Sequence, residues 1–374
     1  MFQHPNHDPL GNLGNLGNLG NLEAIAPADF LTEILPSQGA IRNFLEQIAL
    51  RPLGQEQQRA AGEAAALAAL GQRYDVAGDE LLSGYRSVHG AASAAGAEVL
   101  SHPYPEVEPD QGAAAFFDVD NTFIQGASIA MFGFGLAKRG FFRRGELAAM
   151  LWKQLKFRIS GSENADDVTA TREQALEFIK GRSVAETVAM AEEIFEDKMN
   201  DKLYDGTRAL AEKHLQAGQE VWLVTATPVQ LAQIIAKRIG LTGALGTVAE
   251  EKDGVFTGRL VGDILHGPGK KHAVAALAAI RGHDLQRCTA YSDSANDIPM
   301  LSMVGTAVAV NPDRHLRQYA RNRNWQVVDY RKLRTMTIRT VRYSAGVGLW
   351  LGSTAATLWA LRWLWLQKQA ASRG

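Results

Sequence analysis

Ala113-Ala114-Ala115-Phe116-Phe117-Asp118-Val119-Asp120-Asn121-Thr122 is the stretch on which the fold turns. Its opening apolar run reads as a short strand buried on both faces, the kind found in a parallel sheet covered by helices. Two carboxylates one residue apart follow at once. A tight turn after Asp118 brings both toward the crevice beyond the strand's carboxyl end, where open parallel sheets bind ligands. Taken alone, D-x-D-x-T is equally well a solvated turn with a helix cap; the surrounding sequence decides.

Further β-rich runs lie at Glu220 to Val224, Cys288 to Tyr291, Thr306 to Val310 and Trp325 to Asp329, separated by longer helical patterns. That alternation predicts an α/β fold with a mostly parallel sheet. Thr225 and Asp293 stand where two of these runs end, as Asp118 does, so three strands deliver chemistry to one edge. From Ala127 to about Leu215 the spacing is helical throughout, as in Leu147, Leu151 and Leu155. An all-helical insert after the first strand would lie over the crevice and could close it off from water. Asp253-Gly254, within a β-prone stretch from Thr247 to Gly262, predicts a hairpin with a structural role.

Gly267-Pro268-Gly269-Lys270-Lys271 follows the second strand, and Asp293-Ser294-Ala295-Asn296-Asp297 follows the third. With Asp118, Asp120 and Thr225, these motifs in this order make the chain resemble the haloacid dehalogenase (HAD) superfamily, subfamily IB, in its phosphoserine-phosphatase-like branch. The resemblance runs from about Ala113 to Tyr330 and includes Ala309-Val310-Asn311-Pro312-Asp313 and Trp325. It implies a HAD-like Rossmannoid parallel sheet with a helical C1-type cap, and a Mg2+-dependent phosphomonoester hydrolase working through an aspartyl-phosphate. A phosphate dianion repels carboxylates, so such attack needs a divalent cation and fixed positive charge. The resemblance makes Asp118 the nucleophile and Asp120 the general acid and base. It implies Mg2+ bound by the Asp118 and Asp293 carboxylates and the Asp120 main-chain carbonyl, completed by phosphate and water. Thr225 and Lys270 would bind the phosphate, with Lys271 as rival to Lys270, and Asn296 and Asp297 would support them.

The family pattern also fails in places. Its phosphoserine phosphatases carry a glutamate nine residues after the nucleophile for the substrate ammonium; here that position is Ala127. Their arginine motif for the substrate carboxylate is missing from the cap, although Arg172 and Arg182 are available. Charge-assisted hydrogen bonds lost in this way weaken binding of an amino-acid headgroup, so phosphoserine is not expected to be the best substrate. From Lys138 to Arg158 cations and aromatics interleave against the single anion Glu146, which suits either a solvated helix face or contact with anionic lipid. Two other enzyme readings follow: a phosphotransferase using the same intermediate, and a phosphatase of membrane lipid phosphates resembling lysophosphatidate. A tethered scaffold with a vestigial site would have no use for the whole set of acidic and basic residues.

The ends of the chain carry their own signals. Residues 11–22 are four G-N-L repeats and read with the first ten as a disordered leader; residues 23–110 are Ala-rich and helical in pattern. His102-Pro103-Tyr104-Pro105 marks a boundary before the catalytic domain at 111–330. Beyond it, the basic stretch from Arg331 precedes Tyr343 to Leu361, a run without a charged side chain ending near Trp359, Trp363 and Trp365. A helix there spans a membrane, lies on it through residues 331–366, or docks on the protein; the flanking charge puts the catalytic domain in the cytoplasm. No secretory signal is visible. The 374 residues are 46% hydrophobic and 21% charged, with 39 Lys+Arg against 40 Asp+Glu, which excludes wholesale disorder and gives no case for nucleic acid as partner. The single cysteine, Cys288, points to a reducing compartment and reads as core filler.

Overall fold

The structure, a computed structural model, describes residues 55–97, 103–141 and 179–331. Within Met1–Val328 the described residues form one compact unit; Asp329 begins a second unit that, beyond Arg331, lies outside the described residues. The leader and the stretch at 343–361 also lie outside them.

Strand β1 (Ala114–Phe117) is the centre of a seven-stranded sheet of order β4-β3-β2-β1-β5-β6-β7. Its neighbours are β2 (Glu220–Pro228) and β5 (Thr289–Ser292), followed outward by β3 (Gly243–Lys252) on one side and β6 (Thr306–Val310) and β7 (Gln326–Val328) on the other. These pairs are all parallel; only β4 (Val255–Val261) runs antiparallel, against β3. All four β1 side chains are buried, as a strand covered on both faces requires.

Two expectations need correction. The hairpin is present, with Asp253 and Gly254 both at positive φ between Lys252 and Val255, as a two-residue primed turn demands. Its first strand, however, begins at Gly243 and is a full member of the central sheet, pairing Trp222 with Gly243 through Val224 with Leu245. The second correction is that β2 does not stop at Val224. It runs on to Pro228 through a register shift, and helix α6 (Val229–Ile239, numbered in chain order) begins only there.

Two described helices precede the sheet, α1 (Gln55–Tyr74) and α2 (Gly78–Ser93). Between β1 and β2 lie α3 (Ser128–Lys138), α4 (Val184–Lys198) and α5 (Asp205–Gln216), the last packed against β1 and β2 rather than lying over the crevice; residues 142–178 lie outside the described set. Helix α7 (Pro268–Arg281) starts with proline in its first turn and ends at Gly282 with φ 76°, a left-handed cap that glycine adopts without steric cost. Short α8 (Ile298–Ser302) and α9 (Arg314–Asn322), the latter capped by the Asp313 carboxylate accepting from the Leu316 N–H at 2.7 Å, complete the unit.

Helix α2, part of the Ala-rich region before the sheet, is built into the core. Leu81, Tyr85 and Val88 share one apolar cluster with Val248, Leu265 and Ala273. Gly84 meets α7 so closely that a Cβ would stand 2.1 Å from the His272 carbonyl oxygen. The Ser87 hydroxyl accepts the Asp263 N–H at 2.9 Å, tying α2 to the loop that leads into α7.

Candidate active site

Asp118 leaves β1 with its N–H still donating to the Tyr291 carbonyl of β5 at 2.9 Å, so the sheet fixes where its side chain starts. The carboxylate is buried, and Lys270 Nζ donates to its Oδ1 at 2.5 Å and to Asp297 Oδ2 at 2.6 Å. Lys271, turned by about 100° on the same helix, donates instead to Asp75 Oδ2 at 2.7 Å. The geometry thus separates the two rival lysines. Lys270 can start so near the β5 loop because Gly269 lies against the chain before it, where a Cβ would be 2.2 Å from the Ile264 carbonyl oxygen.

After Asp118 the chain turns sharply: Phe123 and Ile124 both donate to the Val119 carbonyl at 2.9 Å, and Asn121 has φ 53°. The Asn311 amide nitrogen, from the loop after β6, donates to the Asn121 carbonyl at 2.8 Å and braces this turn. Asp120 Oδ1 accepts from the Ser128 N–H at 2.8 Å and from the Ser128 hydroxyl, which itself lies 2.5 Å from Thr227 Oγ1.

Asp293, just past β5, is hydrogen-bonded by the Asn121 side chain, and its carbonyl accepts the Asp313 N–H at 2.8 Å. Asp297 is buried and receives the Ser292 hydroxyl at 2.7 Å. Asn296, expected to support Asp297, is exposed, and among the described residues its side chain makes no hydrogen bond; Ser292 fills that place. Thr225 is buried inside β2 rather than at a strand-to-helix turn, and its hydroxyl accepts the Thr227 N–H at 3.2 Å.

Charge is unbalanced here. Burial pushes the Asp118 carboxyl up to about 7; Lys270 opposes this, while Asp297 and Asp293 add to it. Burial likewise raises Asp293 to about 7, with the Asp297 charge adding and Lys270 and Asn121 opposing. Burial alone would lower the Lys270 ammonium, but the charges of Asp118 and Asp297 outweigh it and raise its pKa. Four carboxyl groups around one lysine make a site short of positive charge, and oxygen donors of this kind suit a hard divalent cation. Among the described residues no three His, Cys, Asp or Glu side chains gather closely enough to hold a metal by themselves. A Mg2+ shell completed by a main-chain carbonyl, substrate and water needs no such trio.

Ser128, Thr227 and Ser292 had no motif to announce them, while Asn121 and Asn311 lay inside recognised motifs without a role assigned to them. Only Thr225-Ala226-Thr227 gave a hint, since alternate residues of a strand share a face.

Other proteins share this architecture. Residues 115–302 match the family model of haloacid dehalogenase-like hydrolases, about half of the chain. Phosphoserine phosphatase SerB1 of Mycobacterium tuberculosis (strain ATCC 25618 / H37Rv) is 57% identical over 252 residues, 67% of this chain and 80% of that protein. Histidinol-phosphatase of Neisseria meningitidis serogroup C (strain 8013) is 29% identical over 221 residues, 58% of this chain and 98% of that protein. The crystal structure of a protein of unknown function from Bordetella pertussis Tohama I superposes with a TM-score of 0.53 at 30% identity, covering 58% of this chain and 98% of that one. The sheet order, the site at its carboxyl edge and these likenesses agree: the chain belongs to the haloacid dehalogenase-like hydrolases and is a phosphoric monoester hydrolase of the phosphoserine-phosphatase-like kind.

Proposed function

We propose that the protein is a Mg2+-dependent phosphomonoesterase in which Asp118 attacks phosphorus and Asp120 moves the proton. The observation that carries this reading is the buried Lys270 ammonium bonded at once to Asp118 and Asp297. It holds one oxygen of Asp118 still and supplies fixed positive charge where the phosphoryl oxygens would lie. The Asp118 and Asp293 carboxylates and the Asp120 main-chain carbonyl would hold Mg2+, whose chemistry is to neutralise phosphoryl charge during in-line displacement. Thr225 would donate its hydroxyl hydrogen to a phosphate oxygen, since that hydroxyl only accepts, from the Thr227 N–H, within the strand. Asp118 forms an aspartyl-phosphate as the P–O bond to the leaving alcohol breaks, and Asp120 protonates that alcohol. Asp120 then takes a proton from the water that cleaves the acyl phosphate, restoring Asp118.

The substrate is a phosphomonoester whose alcohol need not be an amino acid. Ala127 offers no carboxylate to an ammonium, the adjacent Ser128 is engaged by Asp120, and the Arg182 guanidinium stands 5.0 Å from the Phe141 ring centroid. Arg172 lies outside the described residues. The two relatives above are named for different phosphates, so likeness alone does not select one. The described residues give the lipid reading no support, and most of the residues that carried it, 142–158 and 343–361, lie outside them. Arg139, within the basic cap segment, is paired with Glu193 at 2.9 Å and Asp197 at 2.5 Å. Among the described residues no helix is long and apolar enough to cross a membrane.

Hydrolysis of phosphoserine, an uncharged alkyl phosphate and an aryl phosphate by the wild type and by Asp118→Asn tests the proposal. The variant should be folded and inactive on all three, with beryllium fluoride binding only the wild type, and the wild type should prefer the uncharged alcohol. A phosphorylated product on adding acceptor alcohols would mark a phosphotransferase. Full activity of Asp118→Asn would remove the nucleophile from the scheme.

A further inference from the structure

We infer that Ser128 and Thr227 are positioning residues that aim the general acid, and that they make its aim depend on how the first cap helix is seated. The inference rests on the proposed role of Asp120. Both hydroxyl groups are buried, Ser128 at 0% and Thr227 at 1% exposure, so neither can exchange its partner for water. An ionised carboxylate only accepts, so the Ser128 hydroxyl donates to Asp120 Oδ1 and is left able to accept from Thr227 at 2.5 Å. The Ser128 N–H, in the first turn of α3, donates to the same oxygen at 2.8 Å. Oδ1 is therefore doubly engaged, while Oδ2 has no hydrogen bond among the described residues.

That asymmetry decides which oxygen handles the proton. With Oδ1 fixed by two donors, the transferable proton sits on Oδ2, and as the P–O bond to the leaving group breaks it passes from Oδ2 to the departing alkoxide. Ser128 and Thr227 keep their own protons throughout. Thr227 is itself set from the sheet: its N–H donates to the Thr225 hydroxyl at 3.2 Å within β2. Ser128 belongs instead to α3, which the chain reaches through Gly126 at φ 95°, a backbone setting that suits glycine. Asp120 is thus gripped by a helix that leads into the cap, and that helix is registered against the strand that carries Thr225. Seating of α3 and aim of the acid are one event.

The test compares kcat/KM for p-nitrophenyl phosphate, phenyl phosphate and an alkyl phosphate in the full-length enzyme with Mg2+. General-acid help matters most where the leaving alkoxide is poorest, and is worth roughly 10² to 10⁴ in rate when complete. Ser128→Ala and the isosteric Thr227→Val should each lower kcat/KM on the alkyl phosphate by about tenfold or more and on p-nitrophenyl phosphate by less than about threefold. Thr227→Ser, which keeps the hydroxyl, should restore the wild-type pattern. An equal loss on all three substrates, or none, in both hydroxyl-deleted variants overturns the inference, because a packing role would not sort substrates by leaving group. Asp120→Asn is the reference: loss concentrated on the alkyl phosphate upholds its role as the acid whatever Ser128 does. Unchanged alkyl-phosphate hydrolysis in Asp120→Asn would overturn the role of Asp120 and this inference with it.

Discussion

Two clusters of buried and half-buried acids and bases sit at opposite ends of the parallel strands, and their charges are settled in opposite ways. At the amino end, Glu220 opens β2 and is met by Arg281 through Nε at 3.2 Å and by a second contact from Nη2, with His283 Nε2 at 3.1 Å. Burial pushes the Glu220 carboxyl up, but the hydrogen bonds from His283 and Arg281 win and hold it at about 2. At the carboxyl end, Asp118 and Asp293 are driven the other way, to about 7. A cluster that balances its own charge fastens strand to helix; one that does not is left able to take up positive charge.

Substitutions should separate the two. Asp118→Asn is expected to lower hydrolysis by on the order of 10³ or more with the circular dichroism spectrum unchanged. Lys270→Met should cost on the order of 10² in kcat, whereas Lys271→Met, which loses only a surface pair with Asp75, should stay within about twofold. Glu220→Gln should leave the activity of the folded enzyme intact and lower its stability by on the order of 3 kcal/mol at neutral pH, read by urea titration. Because the Glu220 carboxyl is depressed from 4.5 to about 2, its contribution is present above the ordinary value and disappears as pH falls toward the lower one. Wild type and Glu220→Gln should therefore converge in acid. Asp293→Asn should act in the opposite sense, raising the melting temperature of the metal-free protein slightly while abolishing the rise that Mg2+ produces in the wild type. A drop in that temperature would erase the contrast between the clusters.

What could be read from sequence follows the same physics. The strands at Ala114–Phe117 and Thr306–Val310 were legible because a doubly covered strand has no polar partner to disguise it. Lys270 and Lys271 could not be told apart from sequence, since both begin a helix and only its rotation distinguishes them. Thr225 was misplaced because a polar residue after an apolar run reads as the end of a strand, while the backbone here continues through a bulge. Ser128 was hidden for a different reason: a single hydroxyl in an apolar helix carries no periodicity, and its meaning exists only once Asp120 and Thr227 are brought beside it. The packing of α2 was equally hidden, because an Ala-rich amphipathic pattern says that a helix has a face and not what the face meets.

The near contact of Gly84 with the His272 carbonyl reaches further than local packing. Any fragment trimmed to start at β1 would strip the helix from Val248, Leu265 and Val274 and leave a greasy trench beside the lysine-bearing segment. Such a truncation should clump on expression, and domain-swapping or grafting designs on this scaffold must carry the preceding helix along as part of the catalytic body.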